Sequence, residues 1–137
     1  MPEPNFLDFS ASNGLKLYAG RFPSLKEGLP KAVVILFHGF GAYTNKYGYV
    51  AEVFAQQGYD FVGFDHRGFG LSEGERGLIP SAEEHLEDSR RFVDLVKAFY
   101  TAKFGKFPPL VSMGYSLGGC TSLGVWRTHE DKELFKA

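Results

Sequence analysis

A single cysteine, Cys120, stands among the 137 residues, so no disulfide can form within the chain and stability must come from packing. An excess of charge of either sign is also missing. Fifteen Lys and Arg are balanced by 16 Asp and Glu, and the cations are scattered along the chain. That balance lacks the basic footprint of a nucleic-acid-binding domain, so no nucleic-acid partner is expected. Long apolar runs are absent too. The longest, Ala32 to Phe37, falls far short of the ~20 residues a membrane-spanning helix needs. Met1 to Asn5 has neither the basic region nor the apolar core of a secretory leader, and no Asn-x-Ser/Thr acceptor occurs. Together these absences predict a cytoplasmic location, with peripheral membrane contact left open. No metal-ligand spacing accompanies His38, Asp65 and His66, so neither a metal nor another cofactor is expected.

What the chain does have is alternation of strand-like and helix-like segments. Phe6 to Ser10 and Leu15 to Phe22 flank Asn13-Gly14, two residues that tolerate positive φ, which predicts a β-hairpin over 6–22. Pro23 to Lys31 reads as a linker. Ala32 to Phe37 is a continuous β-branched run, as expected of a strand buried on both faces. Asn45 to Gln57 reads as a helix stopped by Gly58, and Tyr59 to Phe64 as a second buried strand. Ser81 and Glu84 form a capping-box pattern that opens a helix running to Phe104. Leu86, Val93, Val96, Tyr100 and Phe104 share its apolar face, Gly105 ends it, and His85 in its first turn reads as exposed. Leu110 to Met113 is the next strand and Leu117 to Arg127 the next helix. A hairpin followed by βαβαβα predicts one α/β domain over 1–137, with a mostly parallel sheet and helices on both faces.

Three motifs carry chemistry, and each follows a predicted strand. Gly114-Tyr115-Ser116-Leu117-Gly118-Gly119 lies between strand and helix, the setting of a nucleophile elbow over 112–119, with Ser116 exposed at its tip. Gly114 and Gly118 give the turn room, and the helix start offers unpaired N–H groups where an oxyanion would form. His38-Gly39-Phe40-Gly41 follows the first buried strand. Gly39 and Gly41 let the Phe40 N–H turn toward Ser116, beside the Leu117 N–H. The third motif runs from Phe64 to Gly74. Its Asp65, His66 and Arg67 read as a hydrogen-bonded turn that holds the loop, with Arg67 as partner of Asp65. A dinucleotide loop is rejected there, because Glu73 occupies the third glycine position of Gly-x-Gly-x-x-Gly.

These three strings, in this order, resemble the α/β-hydrolase superfamily. More closely they look like its monoacylglycerol lipase and lysophospholipase branch, grouped with serine aminopeptidase-like hydrolases. The resemblance implies Ser116 as nucleophile and the N–H groups of Phe40 and Leu117 as oxyanion hole. It makes His38, Asp65, His66 and Arg67 structural loop residues. The implied substrate is a small acyl ester or lipid, cleaved through an acyl-enzyme.

In such hydrolases an acid and then a histidine follow the nucleophile on later loops. Only 21 residues follow Ser116 (137 − 116). If the helix continues, His129 lies ~20 Å along it from Ser116, outside the reach of a general base. The expectation is therefore the N-terminal part of the fold, truncated before the acid, the histidine, the later strands and the lid. Asp131 to Ala137 reads as the approach to a further strand. The strand before Ser116 should be an open sheet edge that favours self-association. Two readings stay open: a serine esterase completed by residues outside the sequence or by a partner segment, and an inactive fragment that serves as a binding or regulatory module.

Overall fold

The computed structural model describes residues 7–133 and 135. Its main sheet has four strands in the order β3-β5-β4-β6, where β3 is Ala19–Phe22, β4 Val33–Phe37, β5 Asp60–Phe64 and β6 Leu110–Gly114. β4 pairs in parallel with β5 and β6, whereas β3 runs antiparallel to β5. The β-branched run of β4 is buried along its whole length, as a central parallel strand must be. Val33, Ile35 and Phe37 face one side of it, with Val62, Phe64, Phe92, Val93 and Val96. Val34 and Leu36 face the other, with Phe22, Phe61 and Ala51. Helix α1 (Gly48–Gln56) therefore covers one face, and α2 (Ala82–Phe104) and α3 (Leu117–Thr128) cover the opposite one.

The N-terminal hairpin is shorter than 6–22. β1 (Phe9–Ser10) pairs only with β2 (Lys16–Leu17), and β3 leaves them to join the main sheet; Phe6 lies outside the described residues. Only Gly14 of the Asn-Gly pair has positive φ, at 87°. Gly14 N donates to Ala11 O and Ala11 N to Leu15 O, the bonding of a type I turn closed by a glycine bulge. The predicted helix from Asn45 is also refined. Thr44–Tyr47 winds as a 3-10 turn before α1, which ends ahead of Gly58 (φ 92°).

α2 starts where its cap predicts: the Ser81 side chain accepts from Glu84 N, and Gly105 ends the helix at φ 78°. Its buried stripe differs from the purely apolar one expected, because His85, Asp88 and Ser89 continue it. His85 is buried, not exposed. A polar network pins the far end of the sheet. Arg21 Nε and the Tyr100 hydroxyl both donate to Asp60 Oδ2, at 2.9 and 2.5 Å. No helix among the described residues is long and apolar enough to cross a membrane.

β6 is one of the two edge strands of the sheet among the described residues, and its exposure contrasts with the full burial of β4. Beside it, Phe135 makes an isolated parallel bridge to Leu110, the side on which a further strand would pair.

Candidate active site

The carboxyl ends of β4, β5 and β6 open on one edge of the sheet, and each is followed by one of the three motifs. The parallel register sets Phe37 opposite Gly114, so the loop of His38 and the turn of Ser116 leave the sheet side by side. In open α/β sheets this is the edge where ligands bind.

Ser116 is the only non-glycine residue at positive φ among those described, with φ 56° and ψ −118°. Such a conformation costs ~1–3 kcal/mol and persists only where surroundings enforce it. Two glycines do so here. A Cβ on Gly114 would lie 2.1 Å from Gly118 O, and one on Gly118 would lie 1.8 Å from Phe37 O. The turn is thus tight enough to press the first turn of α3 against β4. Gly118 N donates to Tyr115 O and Gly119 N to Ser116 O, bonds that leave the Leu117 N–H at the open helix start.

Across from it, Ala42 N donates to Gly39 O, with Gly41 at φ 78°. This is a type II turn, and Phe40 is its second residue. A Cβ on Gly39 would stand 3.7 Å from Ser116 Cβ, an ordinary contact, and 3.1 Å from Tyr115 O, a tight one, so the two loops run close together here. The ring of Phe40 is largely exposed and meets Phe69 edge-on, with centroids 5.0 Å apart.

Asp65 staples two loops with one carboxylate. Oδ1 accepts from Thr44 N at 2.7 Å and Oδ2 from Leu71 N at 2.9 Å. A Cβ on Gly70 would fall 2.2 Å from Oδ2. Arg67 is not its partner. The Arg67 guanidinium instead grips Asp88 on α2, through Nε at 2.7 Å and a second nitrogen at 2.9 Å, in a buried bidentate pair.

His38 and His66 are fully enclosed at this edge. His38 Nδ1 lies 2.8 Å from Gly39 O and must donate to it, while His38 Nε2 accepts from His66 N at 2.9 Å. His66 Nε2 lies 3.1 Å from His38 O and donates in turn. Burial lowers the proton affinity of both rings, most strongly for His66, whose neighbours His38 and His85 add repulsion. Among the described residues neither ring hydrogen-bonds Ser116, and His66 Nδ1 is buried without a hydrogen-bond partner. His129, at the far end of α3, faces Asp94 at 2.7 Å. The chemistry visible here is therefore a strained, exposed serine between two loop backbones, in a setting where all four histidines bond elsewhere in the fold.

The deep, polar residues Asp88 and His85 were missed by sequence reasoning. Their spacing was the available signal, because 85, 88 and 89 stand in phase with Phe92 and Val96 on α2.

A mostly parallel sheet flanked by helices, with a strained serine between β6 and α3, defines the class: an α/β-hydrolase fold. Residues 28–136 match the family described as serine aminopeptidase, S33. Mouse monoglyceride lipase is 32% identical over 101 residues, which cover 72% of this chain and 31% of that protein. An uncharacterised abhydrolase domain-containing protein of Dictyostelium discoideum is 38% identical over 104 residues, covering 73% of this chain and 10% of the relative. A soluble variant of monoglyceride lipase from Saccharomyces cerevisiae, solved with a substrate analogue, superposes with a TM-score of 0.81 at 25% identity. That match covers 97% of this chain and 43% of the solved one. The chain belongs to the serine aminopeptidase (S33) family and forms a monoacylglycerol lipase-like, N-terminal portion of its fold. It spans about a third or less of the length of these curated relatives (31% and 10%).

Proposed function

We propose that residues 1–137 carry the nucleophile half of a serine ester hydrolase acting on a monoacylglycerol-like lipid or similar small acyl ester. The observation that supports this is Ser116 itself, the one side-chain-bearing residue at positive φ among the described residues, with its Cβ 3.7 Å from the Cβ position of Gly39. A structural serine has no need of that strain, whereas a nucleophile must stand clear of the backbone. Ser116 Oγ forms a bond to the ester carbonyl carbon, and its proton passes to a base. The N–H groups of Phe40 and Leu117 take the negative charge that develops on the carbonyl oxygen. The bond to the alcohol then breaks, the alcohol leaves with a proton, and water frees the acid from the acyl-enzyme. The engagement of His38, His66, His85 and His129 within the fold supports a base and acid supplied from outside residues 1–137. The same engagement favours the second reading, a binding or regulatory module, wherever no such segment is supplied.

A fluorophosphonate probe tests both. With a C-terminal segment bearing an acid and a histidine joined to residues 1–137, we expect labelling at Ser116 that Ser116→Ala abolishes. Residues 1–137 alone should react ~10²–10⁴-fold more slowly. Equal rates would refute an external base, and no labelling of the joined chain would leave only the binding module.

A further inference from the structure

His85 is the residue that the catalytic reading leaves without a task. It projects from α2 into the layer between the sheet and α3, where its Nε2 lies 2.7 Å from Thr121 Oγ1. The Thr121 hydroxyl spends its single proton on Leu117 O at 3.0 Å, so His85 Nε2 must be the donor in the first contact. The chain of bonds therefore runs from α2 through Thr121 to Leu117, whose N–H stands beside Ser116. On its other side His85 meets His66 edge to face, with centroids 4.5 Å apart, and His66 lies against His38 with centroids 3.8 Å apart and the rings tilted by 33°. His38 ends the series on Gly39 O, within the turn that presents Phe40 N–H.

We propose that His38, His66 and His85 form a continuous positioning stack that holds the Phe40 and Leu117 N–H groups in mutual register. His85 and Thr121 are its arm to helix α3. This inference rests on the oxyanion reading above, yet its geometry does not depend on whether Ser116 reacts. The residues come from three separate elements: the end of β4, the loop after β5 and α2. No one loop could fix both donors alone, because each belongs to a different strand–helix connection.

The stack works in one protonation state. Each ring has its tautomer set by its partners: His38 with the proton on Nδ1, His66 and His85 on Nε2. A second proton on His38 would turn Nε2 into a donor facing the donor His66 N–H. The charged groups around the stack are Asp65 near His38, and Asp88 and Arg67 near His85; Asp88 favours a cation there and Arg67 opposes it. Burial outweighs them and keeps all three neutral.

The test uses Thr121→Val, close in shape but unable to accept from His85 or donate to Leu117, with Thr121→Ser as the restoring variant. With residues 1–137 joined to the C-terminal segment described above, amide NMR resonances of Leu117 and Phe40 are followed together with the second-order rate of Ser116 phosphonylation. In that reaction an Oγ–P bond forms and fluoride leaves, so the P=O oxygen occupies the oxyanion position. Thr121→Val should displace both amide resonances. It should also slow the bond-forming step about tenfold with probe affinity unchanged, a smaller loss than the ~10²–10³ for deleting a donor. Thr121→Ser should restore both. Unmoved amides in a folded Thr121→Val protein would overturn the proposal, as would a loss that Thr121→Ser does not recover. If wild-type Ser116 fails to react even in that joined chain, the nucleophile reading falls, and the amide shifts alone decide the stack.

Discussion

At the scale of single residues, the site is specified by what must be absent. The turn at Ser116 closes because Gly118 has no Cβ, which would sit 1.8 Å from Phe37 O and 2.9 Å from His38 O, both backbone atoms that cannot rotate away. Gly119, its neighbour in the same helix turn, has only Gly114 O at 3.8 Å near its Cβ position, an ordinary contact. The two glycines should therefore respond oppositely to alanine. Gly118→Ala is expected to destabilise the fold by ~3 kcal/mol or more, because β4 and α3 must part. Gly119→Ala is expected to be neutral or to stabilise by up to ~1 kcal/mol, the usual gain of alanine over glycine within a helix. Urea unfolding of the two variants measures this directly. Equal effects would mean that the tight crossing of α3 over β4 is not what holds Ser116 at positive φ.

At the scale of elements, strands and helices were legible wherever one kind of signal ruled. The β-branched run of β4, the Ser81 cap and the Gly105 stop on α2, and the glycine-flanked turn at Ser116 all act through local sterics or local bonds. Partners that come from distant loops were not legible. Asp65 and Arg67 are near neighbours in sequence, yet the first binds backbone of two loops and the second reaches α2. His85 was read as surface because apolar periodicity scores a histidine as polar, although it shares the buried stripe of Phe92 and Val96. The consequence is a specific acid sensitivity. The folded state holds His38, His66 and His85 below their ordinary proton affinity, so the unfolded chain binds more protons once pH falls below about 6.5. Stability is full above that value and declines as pH drops, by up to ~1.4 kcal/mol per pH unit for each ring. Urea midpoints between pH 7.5 and 5 should fall, and His85→Gln should make that slope shallower by about one ring's share. An unchanged slope would show that His85 is not held neutral.

At the scale of the whole molecule, one side of the sheet is finished and the other is not. The β3 edge is buried along its length, whereas β6 ends the sheet with Val111 partly exposed. Leu123 and Trp126, one helical turn apart on α3, are 69% and 56% exposed on the adjoining helix layer. In relatives of which this chain covers about a third, more polypeptide is available to cover such a face. The parallel bridge from Leu110 to Phe135 indicates how it would arrive, as a strand beside β6. Expressed as residues 1–137 alone, the chain has only other copies of itself to bury Leu123 and Trp126, each worth ~1.5–3 kcal/mol when enclosed. We therefore expect concentration-dependent self-association in sedimentation velocity at micromolar concentrations. Leu123→Lys with Trp126→Glu should shift the population toward monomer without lowering helix content. A wild-type chain that stays monomeric throughout would mean that this face is tolerated in water, and the open edge would lose its claim to be an assembly surface.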